Sequence, residues 1–259
     1  MKLPTFFISH GAPTLLIDQS PTHFFLKQLG HHISKPDVIL MISAHWETTK
    51  SHAVTTHPSP PMIYDFYGFP EELYTYQYHA MGDPIFAKDL AQKLSIAGFE
   101  TTEEAQRGFD HGAWVPLTLM YPAADIPVVC LSSRSDQNGA WHFNLGKALA
   151  EILADKNVLV CTSGGLTHNL RALMRDGSPP PQWATTFMKW VDQCLMTRDF
   201  DPLVHYEKNA PYLKENHPYV EHFTPFLVAC GVGYHADQIT KLHDDIRFGS
   251  LAMTCYQFD

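Results

Sequence analysis

Val38-Ile39-Leu40-Met41-Ile42-Ser43-Ala44-His45-Trp46 is an apolar run that ends in a small-residue turn and delivers a histidine. Two other stretches end the same way: Thr5-Phe6-Phe7-Ile8-Ser9-His10-Gly11, and Val158-Leu159-Val160-Cys161-Thr162-Ser163-Gly164-Gly165-Leu166-Thr167-His168. Strands that are apolar throughout are buried on both faces and belong to parallel sheets. In an open α/β sheet, ligands bind just outside the carboxyl ends of the strands. Three histidines at three such ends can meet at one point although the sequence keeps them far apart. The pattern therefore predicts an α/β fold with a metal site at the carboxyl ends of its strands.

Working outward, strand 4–9 leads to a helix near 21–30, and 51–56 reads as a further strand. A Tyr/Phe-rich loop covers 58–80. Asp83-Pro84, a cap residue and a first-turn proline, starts a helix over 83–97. Strand 126–131 precedes a helix at 141–154, and strand 157–163 precedes the His168 segment. Helices near 183–197 and 219–230 carry apolar residues at helical spacing, and 250–257 reads as a last strand. Strands alternating with helices imply a mostly parallel central sheet with helices on both faces. The Pro-rich pieces Pro58-Ser59-Pro60-Pro61 and Pro179-Pro180-Pro181 read as loops, so 1–259 is expected to form a single domain.

Composition narrows the function. The net charge is −9 with no Lys/Arg cluster, which argues against nucleic acid and anionic membrane as partners. Sixteen histidines stand against 18 Lys plus Arg, and histidine is the commonest metal ligand and the usual acid/base near neutral pH. The five cysteines form no C-x-x-C pair, as expected of a chain in a reducing cytoplasm. The first residues lack the character of a signal peptide, and no apolar run is long enough to span a bilayer.

His10 and His45 share the strand-end geometry and are read as metal ligands. His168 follows Gly164-Gly165, a pair that lets backbone approach a ligand. It is read as a ligand, as an acid/base over the metal, or as a cap before Asn169-Leu170-Arg171. His111, in a loop beside Asp110 and ahead of a helix at Val115-Pro116-Leu117, is an acid/base or substrate-binding candidate. His217 and His222 flank Pro218-Tyr219-Val220-Glu221. Glu221 and His222 would point about 100° apart on a helix, so one metal takes one of them. Glu221 would complete a 2-His-1-carboxylate site, and His222 a three-histidine site suited to Zn²⁺ or Fe²⁺. His217 either touches substrate or holds the turn. The remaining histidines read as surface or packing residues. No G-x-S-x-G, P-loop, G-x-G-x-x-G after a strand, or H-E-x-x-H is present.

Six segments, taken in order, resemble a known family. They are Ser9-His10-Gly11-Ala12-Pro13, Ser43-Ala44-His45-Trp46, Asp65-Phe66-Tyr67-Gly68-Phe69-Pro70, Phe109-Asp110-His111-Gly112-Ala113-Trp114, Thr167-His168-Asn169-Leu170-Arg171 and His217-Pro218-Tyr219-Val220-Glu221-His222-Phe223. They resemble the DOPA-dioxygenase branch of the class III extradiol ring-cleavage dioxygenases, which is related to the catalytic subunit of protocatechuate 4,5-dioxygenase. The resemblance implies one divalent metal per chain, Zn²⁺ or Fe²⁺, held by His10, His45 and His222. It puts His168 beside the metal as a fourth ligand or acid/base, and makes His111 a second active-site histidine. It implies a small aromatic diol and O₂ as partners, with cleavage to a semialdehyde, in a monomer or small homo-oligomer. Better-studied relatives use Glu as third ligand, so His222 would leave the site one unit more positive. Trp46, Phe66, Tyr67 and Trp114 are candidates to wall the ring pocket, with core packing as the competing reading. Tyr78-His79-Ala80-Met81-Gly82, where relatives often read Tyr-Pro-Ala-Pro-Gly, is expected at the pocket rim. Two other classes use the same histidines: a zinc hydrolase with a metal-bound hydroxide, and a metal-binding protein without chemistry.

Overall fold

A computed structural model describes residues 3–259. Six strands, Thr5–Ser9 (β1), Val38–Ser43 (β2), Val128–Cys130 (β3), Val158–Gly164 (β4), Ile239–His243 (β5) and Cys255–Phe258 (β6), form one sheet in the order β3-β2-β4-β1-β6-β5. The first four in that order run parallel. β6 pairs antiparallel with β1, and β5 antiparallel with β6. The two antiparallel strands explain why the 3.6-residue and apolar-run criteria missed β5. Its residues are all half-buried, so it lacks the continuous apolar run of a central strand.

Side-chain alternation splits the core across the sheet. Phe6, Ile8, Ile39 and Met41 face one side with Leu26 and Leu117. Leu40 and Ile42 face the other with Leu145 and Val228, as does Phe7 with Phe226. The covering helices are Pro21–Leu29 (α1), Pro84–Ile96 (α2), His111–Met120 (α3), Gly139–Ile152 (α4), Gln182–Thr197 (α5) and Thr224–Val232 (α6). Ser20, Asp83, Asp110 and Asn138 each cap the helix that follows by accepting backbone N–H groups, which satisfies donors with no partner inside the helix. Outside the main sheet, His52–Thr55 pairs in parallel with Thr101–Glu104, a strand not foreseen from the sequence.

Three expectations need correction. The late helix begins at Thr224 rather than near 219, so Glu221 and His222 lie in the turn before it. The helix expected near Val115 starts at His111, with Asp110 as its cap. Tyr78–Gly82 is not at the strand carboxyl ends: the N–H of Val128, the first residue of β3, donates to Met81 O, and Tyr78 is buried in the core. Among the described residues, no helix is long and apolar enough to cross a membrane.

Helix α6 follows His222 directly, so its seating fixes that residue. It crosses α4 at two glycines. A Cβ on Gly146 would lie 2.2 Å from Val228 O, and one on Gly231 2.0 Å from Phe143 O. Gly146→Ala is therefore expected to cost about 1–3 kcal/mol, read as a lower urea midpoint at unchanged slope. A midpoint equal to that of the unsubstituted chain would mean that the two helices are not locked at this crossing.

Candidate metal centre

The parallel strands end side by side, with Ser9 opposite Gly164 and Ser43 opposite Ser163. His10 leaves β1 and His45 leaves β2 at that edge, and their Nε2 atoms are 3.0 Å apart. Gly164 serves a purpose different from the one expected. A Cβ there would stand 2.2 Å from His222 O, and the Gly165 N–H donates to that same carbonyl. The glycine pair admits the chain's own His222 turn against the end of β4. The ring donors of His10, His45 and His222 consequently lie within 4.8 Å of one another.

Each of these three rings has an oxygen beside its Nδ1, hydrogen-bonded at His10 and His222 and an ion-pair distance away at His45. Pro116 lies inside α3 and lacks the N–H that would bond Gly112 O four residues back. Ser163 Oγ donates to that carbonyl instead. Its lone pair is left to accept His10 Nδ1–H at 2.8 Å. Asp65 Oδ2 faces His45 Nδ1 at 3.3 Å, and Glu221 Oε1 accepts His222 Nδ1–H at 3.0 Å. A neutral imidazole that donates through Nδ1 carries its lone pair on Nε2. His222 Nε2 is buried and has no hydrogen-bond partner among the described residues. His10 Nε2 and His45 Nε2 face each other at 3.0 Å, a spacing at which two lone pairs repel unless a proton or a cation lies between them. This donor set fits a divalent metal bound by three imidazoles, each held from behind by a second partner.

Two further histidines border the cluster. The His168 ring stacks on His222, with centroids 3.4 Å apart and planes 10° from parallel. His168 forms a donor group with Glu221 and His222 within 4.8 Å. His111 donates its backbone N–H and Nδ1–H to Asp65 Oδ1, both at 2.9 Å, and its ring lies 4.0 Å from that of His45. His111 groups with His45 and Asp65 instead of with the three converging nitrogens. Asp110, its neighbour in sequence, caps α3 and takes Ser43 Oγ at 2.6 Å and Arg107 Nη2 at 3.0 Å. Arg107 also donates to His45 O at 3.0 Å, which anchors the turn carrying that histidine.

The other sequence candidates separate. Phe66 presents its ring edge-on to His111 at 5.8 Å. Trp114 is fully buried and donates its indole N–H to Ile63 O, so it backs Phe66 from the core. Trp46 is buried with the Arg107 guanidinium 4.8 Å from its ring centroid. Tyr67 is 92% exposed and walls nothing. His217 is buried, with Nε2 donating to Leu166 O at 2.9 Å, which holds the turn before His222. Asp65 and Ser163 had no role assigned from the sequence. Asp65 is 46 residues from His111, and no periodicity joins them; its place in the quoted Asp65–Pro70 motif was the only signal.

The chain matches the family described as the catalytic LigB subunit of aromatic ring-opening dioxygenase over residues 4–256. It belongs to that family. It is 42% identical to a 4,5-DOPA dioxygenase extradiol of Beta vulgaris over 98% of this chain and 96% of that one. It is 37% identical to one of Escherichia coli (strain K12), over 99% and 94%. A crystal structure of an uncharacterized protein from Escherichia coli K12 superposes with a TM-score of 0.82 at 34% identity, covering 100% of both chains. The protein is thus an α/β enzyme of the extradiol dioxygenase class, and this class cleaves catechol rings with a metal.

Burial sets the charge of the cluster. It holds His45 down to about 3 and His168 down to about 4, and moves His10 and His222 well below the usual histidine value, with neighbouring histidines adding to the effect. The rings are neutral at pH 7 and open to a metal. An unfolded histidine titrates near 6.5. The unfolded chain therefore binds more protons than the folded one as pH falls from 6.5 towards these depressed values. Stability of the metal-free protein should fall across that window. Melting temperature measured on metal-free protein between about pH 7.5 and 4.5 is expected to drop steadily. A divalent cation at a thousandfold excess over Kd should add about 4 kcal/mol at neutral pH. A cation that leaves the melting temperature unmoved would count against this centre.

Proposed function

We propose that this chain is an extradiol dioxygenase that opens the ring of a DOPA-like catechol, adding both atoms of O₂ to give a semialdehyde. The observation that carries the reading is the convergence of ring nitrogens from His10, His45 and His222 to within 4.8 Å of one another at the strand ends. One divalent metal per chain would be held by these three residues, as Fe²⁺ for turnover, with Zn²⁺ a competing occupant of the same imidazoles. Bound there, Fe²⁺ supplies the one-electron chemistry that lets O₂ attack a closed-shell diol, together with a Lewis acid that acidifies it.

The chain's own residues do the rest. His168, neutral at pH 7, stands beside His222 and accepts a proton from the diol; the imidazolium returns it as the ring opens. His111 has its Nδ1–H committed to Asp65, so its Nε2 is free to bind the second hydroxyl. Phe66 borders His111 and offers an aromatic wall for the catechol ring, which Trp114 supports from the core, while Trp46 packs under Arg107 beside the His45 turn. His217 holds the turn that carries Glu221 and His222. The substrate is a free aromatic diol and not a nucleic acid or membrane component, in keeping with the acidic balance of the chain. One family match across 4–256 supports 1–259 acting as one catalytic domain. Five free, buried cysteines suit a reducing cytoplasm, and a monomer or small homo-oligomer would suffice, since every residue named comes from one chain.

The test is anaerobic Fe²⁺ loading followed by O₂ uptake with DOPA and simpler catechols. Uptake with a yellow product is expected; none with any diol would sink the reading. His168→Gln is expected to keep the metal and lose about 10²–10⁴-fold in kcat, the usual worth of a placed proton-transfer group. Loss of the metal instead would make His168 a ligand.

A further inference from the structure

Asp65 sits on the aromatic loop, outside every strand and helix, yet its carboxylate reaches two histidines of the centre. Oδ1 takes both the backbone N–H and the Nδ1–H of His111, and Oδ2 faces His45 Nδ1. A carboxylate is an acceptor only, so His111 turns its Nδ1–H toward it, and His45, with Nδ1 3.3 Å from Oδ2 and Nε2 3.0 Å from His10 Nε2, is oriented for the same tautomer. We propose that Asp65 is the positioning residue that sets the tautomer of His45 for the metal and of His111 for the substrate at once. The proposal rests on the metal-centre reading above.

The geometry makes the two halves separable. His111 uses one oxygen and His45 the other. An amide in place of the carboxylate can keep its oxygen on His111, where two N–H groups converge. Its NH₂ then meets His45 Nδ1, and a donor facing a donor is repulsive. His45 relieves this by moving its proton to Nε2, the nitrogen the metal needs. The aspartate also couples the loop to the centre. Phe66 follows Asp65 directly and lies against His111, so the carboxylate fixes the loop's aromatic wall relative to the metal ligands.

The experiment compares the full chain with Asp65→Asn, an isosteric change. Zn²⁺ affinity is read by competition with a chelating dye, and ring protonation by ¹⁵N NMR of metal-free protein. Asp65→Asn is expected to bind Zn²⁺ about 10–100-fold more weakly, the usual effect of removing a carboxylate behind a ligating histidine. In the unsubstituted chain, His45 and His111 should both carry the proton on Nδ1; in Asp65→Asn, His45 should carry it on Nε2. An affinity within about threefold of the original, or an unchanged His45 tautomer, overturns the proposal. Should Asp65→Asn fail to fold, the spectrum of the unsubstituted chain decides: a His45 proton on Nε2 there overturns it. Neither readout needs turnover. A chain that binds Zn²⁺ as described yet takes up no O₂ with Fe²⁺ would remove the ring-cleavage reading and leave Asp65 in place.

Discussion

A neutral imidazole has one lone pair to give, and the carboxyl end of this sheet is organised around which nitrogen carries it. Ser163, Asp65 and Glu221 stand behind His10, His45 and His222, each with an oxygen on the Nδ1 side. Were Nδ1 protonated in each ring, three lone pairs would share one small volume, an arrangement costly without a cation and favourable with one. The same network makes the histidines hard to protonate, because each is buried and its neighbours would gain like charge.

How each acceptor comes to be an acceptor traces back to ordinary features of sequence. Pro116 cannot donate to Gly112 O, so Ser163 does, and the serine is left with a lone pair for His10. A proline in a helix interior ordinarily costs about 3 kcal/mol. Here the serine hydroxyl replaces the missing donor, so the vacated carbonyl stays satisfied. Gly164 allows the His222 carbonyl to lie where any side chain would collide, and α6, locked to α4 through glycines, fixes the turn from the other side. The ligand that comes from outside the parallel strands is thus placed by two close backbone approaches.

Much of this was legible in the chain. The apolar runs ending at His10 and His45 located the sheet edge, because a buried parallel strand and its terminal turn are both local features. That the central sheet is mostly parallel followed from the alternation with helices; its strand order did not. Strand β5 and the pair formed by Thr101–Glu104 were not legible, since edge strands of mixed polarity carry no distinctive period. Asp65 and Ser163 were also out of reach as site residues. Their roles depend on contacts 46 to 153 residues apart in sequence, which no window of sequence contains. Asp110 shows the converse. It adjoins His111 in sequence, yet the backbone turns at the helix start and commits the carboxylate to the cap, Ser43 and Arg107.

His222 as a third ligand would raise a question of charge that the geometry answers. A glutamate in that place would put a full negative charge in contact with a metal; His222 would put a neutral ring there. Glu221 is not lost from the site, however. It accepts from His222 Nδ1, so the negative charge has moved back by the width of one imidazole. Asp65 holds a second such position behind His45. Coulomb attraction falls only as the inverse of distance, and in a buried site it is weakly screened. Two carboxylates one ring removed therefore still oppose the charge of a divalent metal. Each also draws the Nδ1 proton toward itself, which makes the Nε2 lone pair a stronger donor. A three-imidazole centre backed in this way is closer in electron supply to the carboxylate-ligated one than a count of its direct ligands implies. The place to look for the difference between the two kinds of site is then the strength of the Glu221–His222 bond rather than the identity of the third ligand alone.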